Sequence, residues 1–259
     1  MSSLHALSHS LNGGKPVFTI WCGLPEPLIA GTLAQEPGYG CVTLDLQHGA
    51  MDLAAAIRAI PLVAAAGKPS LPRIPVGEFQ TASRLLDAGA AGIIAPMINS
   101  VQDARAFVAA TKYPPVGGRS WGPHAAVPLS GLGPAEYFAA ANSLTVTFAM
   151  IETREALAQV DAILAVGGID ALFIGPYDLS IGLSGGGAID PDGPETSQAI
   201  QHALTRAKAA GKRAGIYAAT GERAGHFANL GYDLIAIGTD AVFLREGAAS
   251  MLRAAVAPA

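Results

Sequence analysis

An α/β chain closed into a (β/α)8 TIM barrel is the fold this sequence predicts, and three observations predict it. Short apolar runs rich in β-branched residues alternate with amphipathic runs eight times along the chain. The chain has 259 residues, 51% hydrophobic and 14% charged, which suits one large core. Barrels of ~250 residues commonly form one domain. No break in composition divides the chain, so residues 1–259 read as one domain. A doubly wound open sheet is the rival, but no Gly-x-Gly-x-x-Gly follows the first strand, which weakens a dinucleotide reading.

Residues 1–15 read as a lead-in, and Val17 to Cys22 as the first strand, followed by a helix from Glu26 to Ala34. Cys41 to Gln47 is the second strand, and the helix from Asp52 to Ala66 is stopped by Gly67. Pro69 to Ile74 is the third strand, with a helix over Phe79 to Ala88. Ala91 to Pro96 is the fourth, and Ser100 caps a helix reaching Thr111. Val146 to Ile151 and Ala171 to Ile174 are strands five and six. Between them Thr153 caps one helix with Leu157, Val160, Ile163 and Leu164 on its apolar face. A helix from Thr196 to Ala210, a strand from Arg213 to Tyr217 and a helix from Glu222 to Leu230 follow. Tyr232 to Ile237 is the eighth strand, and Val242 to Val256 the last helix. Two connections, Tyr113 to Ser143 and Ile181 to Pro194, are long for a compact domain and are read as functional or mobile loops. Gly185 to Gly187 lacks the Lys-Ser/Thr of a P-loop.

Composition excludes several classes. Formal net charge is −4 with no basic stripe, so no nucleic acid is expected as a partner. The apolar runs are too short, and too often cut by Gly, Pro or charge, to span a bilayer. No charged n-region precedes an apolar h-region at the N-terminus, and a cytoplasmic location is expected. Cys22 and Cys41 read as small core residues without zinc spacing.

A barrel places its active site at the carboxyl ends of its strands. Those ends carry Trp21, Asp45, Gln47, His48, Arg73, Pro96, Glu152, Asp178, Tyr217, Thr239 and Asp240, a polar set in a chain with few charges. Glu152 and Asp178 fall at equivalent ends of consecutive strands, where two carboxylates can hold a hard divalent cation that keeps several waters. The bland alternative stays open: Asp178 as a helix N-cap and Glu152 as a first-turn acid favoured by the helix dipole. A structural lattice of ion pairs could equally occupy the barrel mouth.

Trp21-Cys-Gly-Leu24, Leu44-Asp-Leu-Gln-His-Gly49, Pro72-Arg-Ile-Pro75, Leu85-Leu-Asp-Ala-Gly-Ala90, Pro96-Met97, Lys112-Tyr-Pro-Pro115, Ile151-Glu-Thr-Arg-Glu155 and Phe173-Ile-Gly-Pro-Tyr-Asp-Leu-Ser180 stand in this order. With them the chain resembles, over nearly all its length, the HpcH/HpaI family of class II pyruvate aldolases, nearest in kind to the hydroxy-ketoacid aldolases. The resemblance implies a barrel of the phosphoenolpyruvate/pyruvate-like type. It binds one divalent ion (Mg²⁺, Mn²⁺ or Co²⁺) and joins or cleaves a 2-oxo acid and an aldehyde. It implies Glu152 and Asp178 as metal ligands, His48 as base, Arg73 as enolate stabiliser, and Asp87 as the acid that raises the histidine's basicity. Substrate contacts are implied at Trp21, Gln47, Met150, Gly175, Pro176, Tyr177 and Asp178, with Asp45 and Tyr217 in support. A hexamer built as a trimer of dimers is implied, with the last helix on a neighbour. Two departures stand out: Met150 replaces a substrate-contacting Gln, and Gln47 replaces a Glu before the histidine, so donor preference is expected to differ.

The chemistry fits the residues independently. Making an enolate needs a Lewis acid on the ketone oxygen, an always-protonated guanidinium for the anionic oxygen, and an imidazole titrating near neutrality for the proton. Each residue keeps an ordinary alternative: His48 bonded to backbone, Arg73 in a barrel-mouth ion pair, Asp87 as a solvated helical acid or a C-terminal cap neighbour of Gly89; an Asp87 that acts is expected to do so across a subunit interface. Strand alternation sets Asp45 and His48 on opposite faces. Arg119 and His124 have no assigned role. Two alternative functions remain, a CoA-thioester lyase and a non-catalytic structural barrel. The first would want a basic patch for the CoA phosphates, which the dispersed Lys and Arg do not suggest.

Overall fold

Eight parallel strands pair in sequence order, and the last closes on the first. In the computed structural model, which describes residues 2–256, the chain begins with α1 (Ser3–Asn12) and β1 (Val17–Cys22). It continues through α2 (Pro27–Leu33), β2 (Cys41–Asp45), α3 (Leu53–Ala65), β3 (Ser70–Arg73), α4 (Phe79–Asp87), β4 (Gly92–Ala95) and α5 (Val101–Thr111). Next come α6 (Ala126–Ser130), α7 (Pro134–Leu144), β5 (Val146–Ile151), α8 (Arg154–Ala158), α9 (Val160–Leu164), β6 (Ala171–Ile174) and α10 (Pro176–Leu183). α11 (Pro194–Ala209), β7 (Arg213–Ala218), α12 (Gly221–Leu230), β8 (Leu234–Ile237) and α13 (Asp240–Val256) complete it. Met1 of the expected lead-in and residues 257–259 of the expected domain lie outside the described residues.

The predicted barrel is the observed one. Alternation along each strand sorts side chains into two cores. Val17 and Trp21 of β1, Phe148 and Met150 of β5 and Phe173 of β6 fill the interior, while Ile20, Ala149, Ile151, Leu172 and Ile174 pack under the helices. The interior is tight: a Cβ on Gly215 would sit 2.7 Å from the Phe173 ring. Predicted caps hold as well, with Ser100 accepting from the Asp103 N–H at 3.1 Å and Thr153 from the Ala156 N–H at 3.0 Å.

Four expectations need correction. The lead-in contains α1, whose Leu7 and Leu11 join Val17, Cys41, Val146 and Leu234 and so plug the amino end of the barrel. The long connection over 113–143 contains α6 and α7, and buried Tyr137, Ala141 and Leu144 give α7 its apolar stripe. The helix after β5 is two short ones that meet at Gln159. Leu183 ends α10, so helix occupies the start of the other long loop.

Candidate active site

The carboxyl ends of β1, β2, β3, β5, β6 and β7 open onto a cavity of about 480 Å³. Trp21, Asp45, His48, Arg73, Met150, Gly175, Pro176, Tyr177, Asp178 and Tyr217 all line it, so most of the predicted residues come together there. Gly23, Leu24, Thr239 and Asp240 line it too.

One side of the mouth is internally satisfied. Arg73 Nε donates to Asp45 Oδ1 at 2.8 Å and its Nη2 to Oδ2 at 2.7 Å, a bidentate pair with both residues buried. Trp21 Nε1 donates to Asp45 Oδ2 at 3.2 Å, and the guanidinium lies 4.8 Å from the Trp21 ring centre. Burial pushes the Asp45 carboxyl up, but the hydrogen bonds and charge of Arg73 outweigh it and hold the group below the usual aspartate range. Two of the five Arg73 N–H donors are spent on Asp45, which leaves three for a ligand. β2 ends at Asp45, two residues short of its predicted end, so strand alternation does not govern His48. The chain turns instead: the N–H groups of Gln47 and His48 donate back to Asp45 Oδ1 at 3.1 and 3.5 Å. This turn leaves His48 exposed at the cavity wall.

The other side is not satisfied. Glu152, 1% exposed, follows β5 and precedes the Thr153 cap, so it is not a first-turn acid. Its Oε1 accepts from the Met97 N–H at 2.7 Å. Met97 holds φ at 53°, a conformation that costs a non-glycine residue and here aims the N–H at the carboxylate. Glu152 Oε2 is buried with no hydrogen-bond partner. Burial, with a further contribution from the charge of Asp178, pushes the Glu152 carboxyl up to about 7, against the lowering effects of the Met97 N–H and Arg73. Gly175 is required by close approach: a Cβ there would meet Met150 Cε at 2.6 Å and Glu152 Oε2 at 2.8 Å. Asp178 is exposed in the first turn of α10, whose N-cap is Gly175, so the N-cap reading of Asp178 does not hold.

These residues fit a divalent ion. A buried carboxylate oxygen without a partner faces a glycine that keeps side-chain atoms out, and a second, exposed carboxylate lies near enough to act on it electrostatically. Among the described residues no group of three or more His, Cys, Asp or Glu could hold a metal ion. Two carboxylates suffice for a hard cation that keeps its waters or takes oxygens from substrate.

Three predicted residues are not in the cavity wall: Glu152, which lies buried behind Gly175, and Gln47 and Asp87. Gln47 sends its N–H to Asp45 and buries its Oε1 without a partner. Asp87 ends α4, which runs back toward the amino end of the barrel, and its Oδ1 accepts from Arg119 Nη2 at 2.6 Å. Sequence reasoning put Asp240 at a strand end but gave it no role. It is 1% exposed; its Oδ2 accepts from the N–H groups of Gly23 at 3.0 Å and Leu24 at 2.9 Å, and its Oδ1 from Ala241 at 2.9 Å. Met97 was missed as well, and only its place after Pro96 at the end of strand four could have pointed to it.

The (β/α)8 barrel gathers at its mouth a bidentate acid–arginine pair and a buried carboxylate with an unpartnered oxygen, a polar set that suits an enzyme. A family model described as HpcH/HpaI aldolase/citrate lyase matches residues 18–246, and the chain belongs to that family of carbon–carbon lyases. A hydroxypyruvate/pyruvate aldolase of Rhizorhabdus wittichii is 38% identical over 241 residues, 93% of this chain and 94% of that one. A 4-hydroxy-2-oxo-heptane-1,7-dioate aldolase of Salmonella typhimurium is 33% identical over 247 residues, 95% of this chain and 93% of that one. The crystal structure of an HpcH/HpaI aldolase/citrate lyase family protein from Burkholderia cenocepacia matches with a TM-score of 0.86 at 28% identity, covering 98% of this chain and all of that one. The thioester-lyase and non-catalytic alternatives are not favoured. The family is generally dependent on a divalent metal. No helix among the described residues is long and apolar enough to cross a membrane.

Proposed function

We propose that the protein is a divalent-metal-dependent aldolase that reversibly joins pyruvate or hydroxypyruvate to a small aldehyde, giving a 4-hydroxy-2-oxo acid. The observation that carries this is the buried, unpartnered Oε2 of Glu152 beside the Gly175 gap, with Asp178 as the second carboxylate. Mg²⁺, Mn²⁺ or Co²⁺ held there would polarise the donor's ketone and lower the cost of its enolate. His48 takes the proton from the carbon beside the ketone, as an exposed imidazole at the cavity wall can. Arg73, fixed by Asp45 and Trp21, offers its remaining N–H groups to the anionic oxygen of the donor. Gly175, Pro176 and Tyr177 border the donor, and the N–H groups of this helix start suit a carboxylate. Tyr217 packs edge-on against Trp21 at 5.5 Å and holds it in place. Gln47 supports the turn that carries His48, and Asp87 enters the chemistry only from another subunit, given its place away from the cavity.

Met150 brings no fixed hydrogen bond to the donor, so recognition rests on groups that pyruvate and hydroxypyruvate share. The names of the two relatives leave the acceptor open, since only one describes a product with carboxylates at both ends. The same reading takes the chain as one barrel domain in a cytoplasmic hexamer, a trimer of dimers, with α13 packed on a neighbour. Exposed Leu244, Met251, Leu252 and Val256 on α13 support that packing. The test is exchange of the pyruvate methyl protons in D₂O, with and without chelator, followed by product formation with glyceraldehyde. Absence of metal-dependent exchange under all three ions would sink the proposal.

A further inference from the structure

The aldol chemistry above leaves Asp240 without a task, although the residue is buried and lies at the cavity. Capping of α13 does not account for it. Thr239 serves that helix, its Oγ1 accepting from the Val242 N–H at 3.4 Å and its carbonyl from the Phe243 N–H at 3.0 Å. All three bonds that Asp240 accepts come from backbone N–H groups, and two come from Gly23 and Leu24, 217 and 216 residues earlier in the chain. Bonds to a buried carboxylate are the strong kind, so they fasten the loop after β1 to the start of α13. That loop in turn carries the turn of His48. The Gly23 carbonyl accepts from the Ala50 N–H at 2.8 Å. Gly49 lies flat against the same backbone: a Cβ there would sit 2.7 Å from both the Cα and the carbonyl oxygen of Gly23. His48 is therefore held from both ends. On the amino side Asp45 Oδ1 takes the Gln47 N–H at 3.1 Å and the His48 N–H at only 3.5 Å, the limit of a hydrogen bond. On the carboxyl side the shorter bond to Gly23 sets the turn, and Asp240 sets Gly23.

We infer that Asp240 is a positioning residue for His48: through Gly23 and Gly49 its carboxylate sets where the imidazole meets the donor's methyl carbon. The inference rests on the aldolase reading above, in which His48 is the base, and adds to it a residue that acts through the backbone. Its bonds are to N–H groups of the chain itself, so its loss should spare donor and metal binding and strike the proton-transfer step. A misplacement of about 1 Å at a reacting group costs on the order of 10²-fold in rate.

The test is the rate of pyruvate methyl-proton exchange in D₂O with the full-length protein and Mn²⁺. Asp240→Ala is expected to lower kcat by about 10²-fold, with the KM for pyruvate and the calorimetric Mn²⁺ affinity little changed. Asp240→Asn should recover most of that loss, because its amide oxygen can still accept from Gly23 and Leu24. Gly23→Ala strikes the same contact with Asp240 intact, since its Cβ would lie 3.2 Å from Gly49 Cα and the His48 turn must yield; it should lower kcat in the same way. In a His48→Ala background neither Asp240→Ala nor Gly23→Ala should cost anything further, the mark of residues that act through one another. A merely structural Asp240 would lower the melting temperature and leave kcat per folded molecule alone, and that result overturns the inference. So does a loss just as large when His48 is already alanine, or an Asp240→Asn protein no better than Asp240→Ala. If Asp240→Ala does not fold, Gly23→Ala and its combination with His48→Ala decide. No exchange at all in the wild type is the separate failure of the aldolase reading, and it takes the inference down with it.

Discussion

Asp45 on one side of the barrel mouth and Glu152 on the other are both buried carboxylates, and the fold treats them in opposite ways. On the β1–β3 side Asp45 accepts two bonds from Arg73 and one from Trp21, and is held below the usual aspartate range. On the β5–β6 side Glu152 has one oxygen on the Met97 N–H and the other on nothing, and is pushed up to about 7. A buried acid paired inside the chain becomes a fixed support for its partner. A buried acid left unpaired is a standing cost that a proton or an external cation removes, and folds keep such costs where function needs them.

The sharpest way to break this contrast is to remove the unpaired side. Glu152→Ala is expected to abolish Mn²⁺ binding in a calorimetric titration and bring turnover to background while the circular dichroism stays barrel-like. Asp178→Ala should do the same, because one carboxylate leaves the oxygen shell incomplete. Retained tight Mn²⁺ binding in both variants ends the metal assignment. His48→Ala comes next, with turnover falling roughly 10²–10⁴-fold, the usual worth of general acid–base catalysis, at nearly unchanged Mn²⁺ affinity. A variant with wild-type rates from mildly acidic to mildly alkaline pH takes His48 out of the chemistry. Arg73→Lys then tests the paired side: the charge stays, but one ammonium cannot hold Asp45 in a fork and also serve the donor. A loss of about 10²-fold in kcat is expected, with Mn²⁺ affinity kept. Full activity in that variant would make the pair purely structural.

How much of this could be read in advance differs between the two sides. The (β/α)8 barrel, the strand-end positions of Arg73 and Glu152 and the caps at Ser100 and Thr153 all follow from local pattern, which the sequence states directly. α1 was legible too, since Leu4, Leu7 and Leu11 repeat at helical spacing. In 113–143 the many Gly and Pro residues masked α7, whose stripe of Tyr137, Ala141 and Leu144 is short. The fork of Arg73 on Asp45 was not legible as such, because it joins adjacent strands and depends on the Asp45↔Arg73 register. The unpartnered Oε2 of Glu152 was beyond sequence altogether, since it is defined by what the fold fails to bring near. Asp87 shows the reverse: an acid implied by resemblance that a single chain holds on Arg119, away from the cavity.

The contrast also carries opposite signs in pH, and this gives the smallest effect. For Asp45 the folded value lies below the ordinary 3.8, so its contribution to stability is present above that value and is lost as pH falls through the lower one. For Glu152 the folded value is raised from 4.5 to about 7. Between those two values the native metal-stripped protein keeps a proton that the unfolded chain has released. Its contribution is therefore full below pH 4.5 and is lost as pH rises through about 7. The loss is on the order of 2–3 kcal/mol by pH 8, which for a chain of this size is roughly 5–10 °C in melting temperature. Other groups titrate over the same range, so the measurement is a difference: the melting temperature of the metal-stripped wild type minus that of Glu152→Gln, from pH 5 to 8. The amide cannot ionise, so the difference should fall with pH. Saturating Mn²⁺ should reverse the wild-type trend, because protons and the ion compete for the same carboxylate. A difference flat across this range without metal would mean that Glu152 already has a partner in the folded chain, and the two sides of the mouth would then be alike.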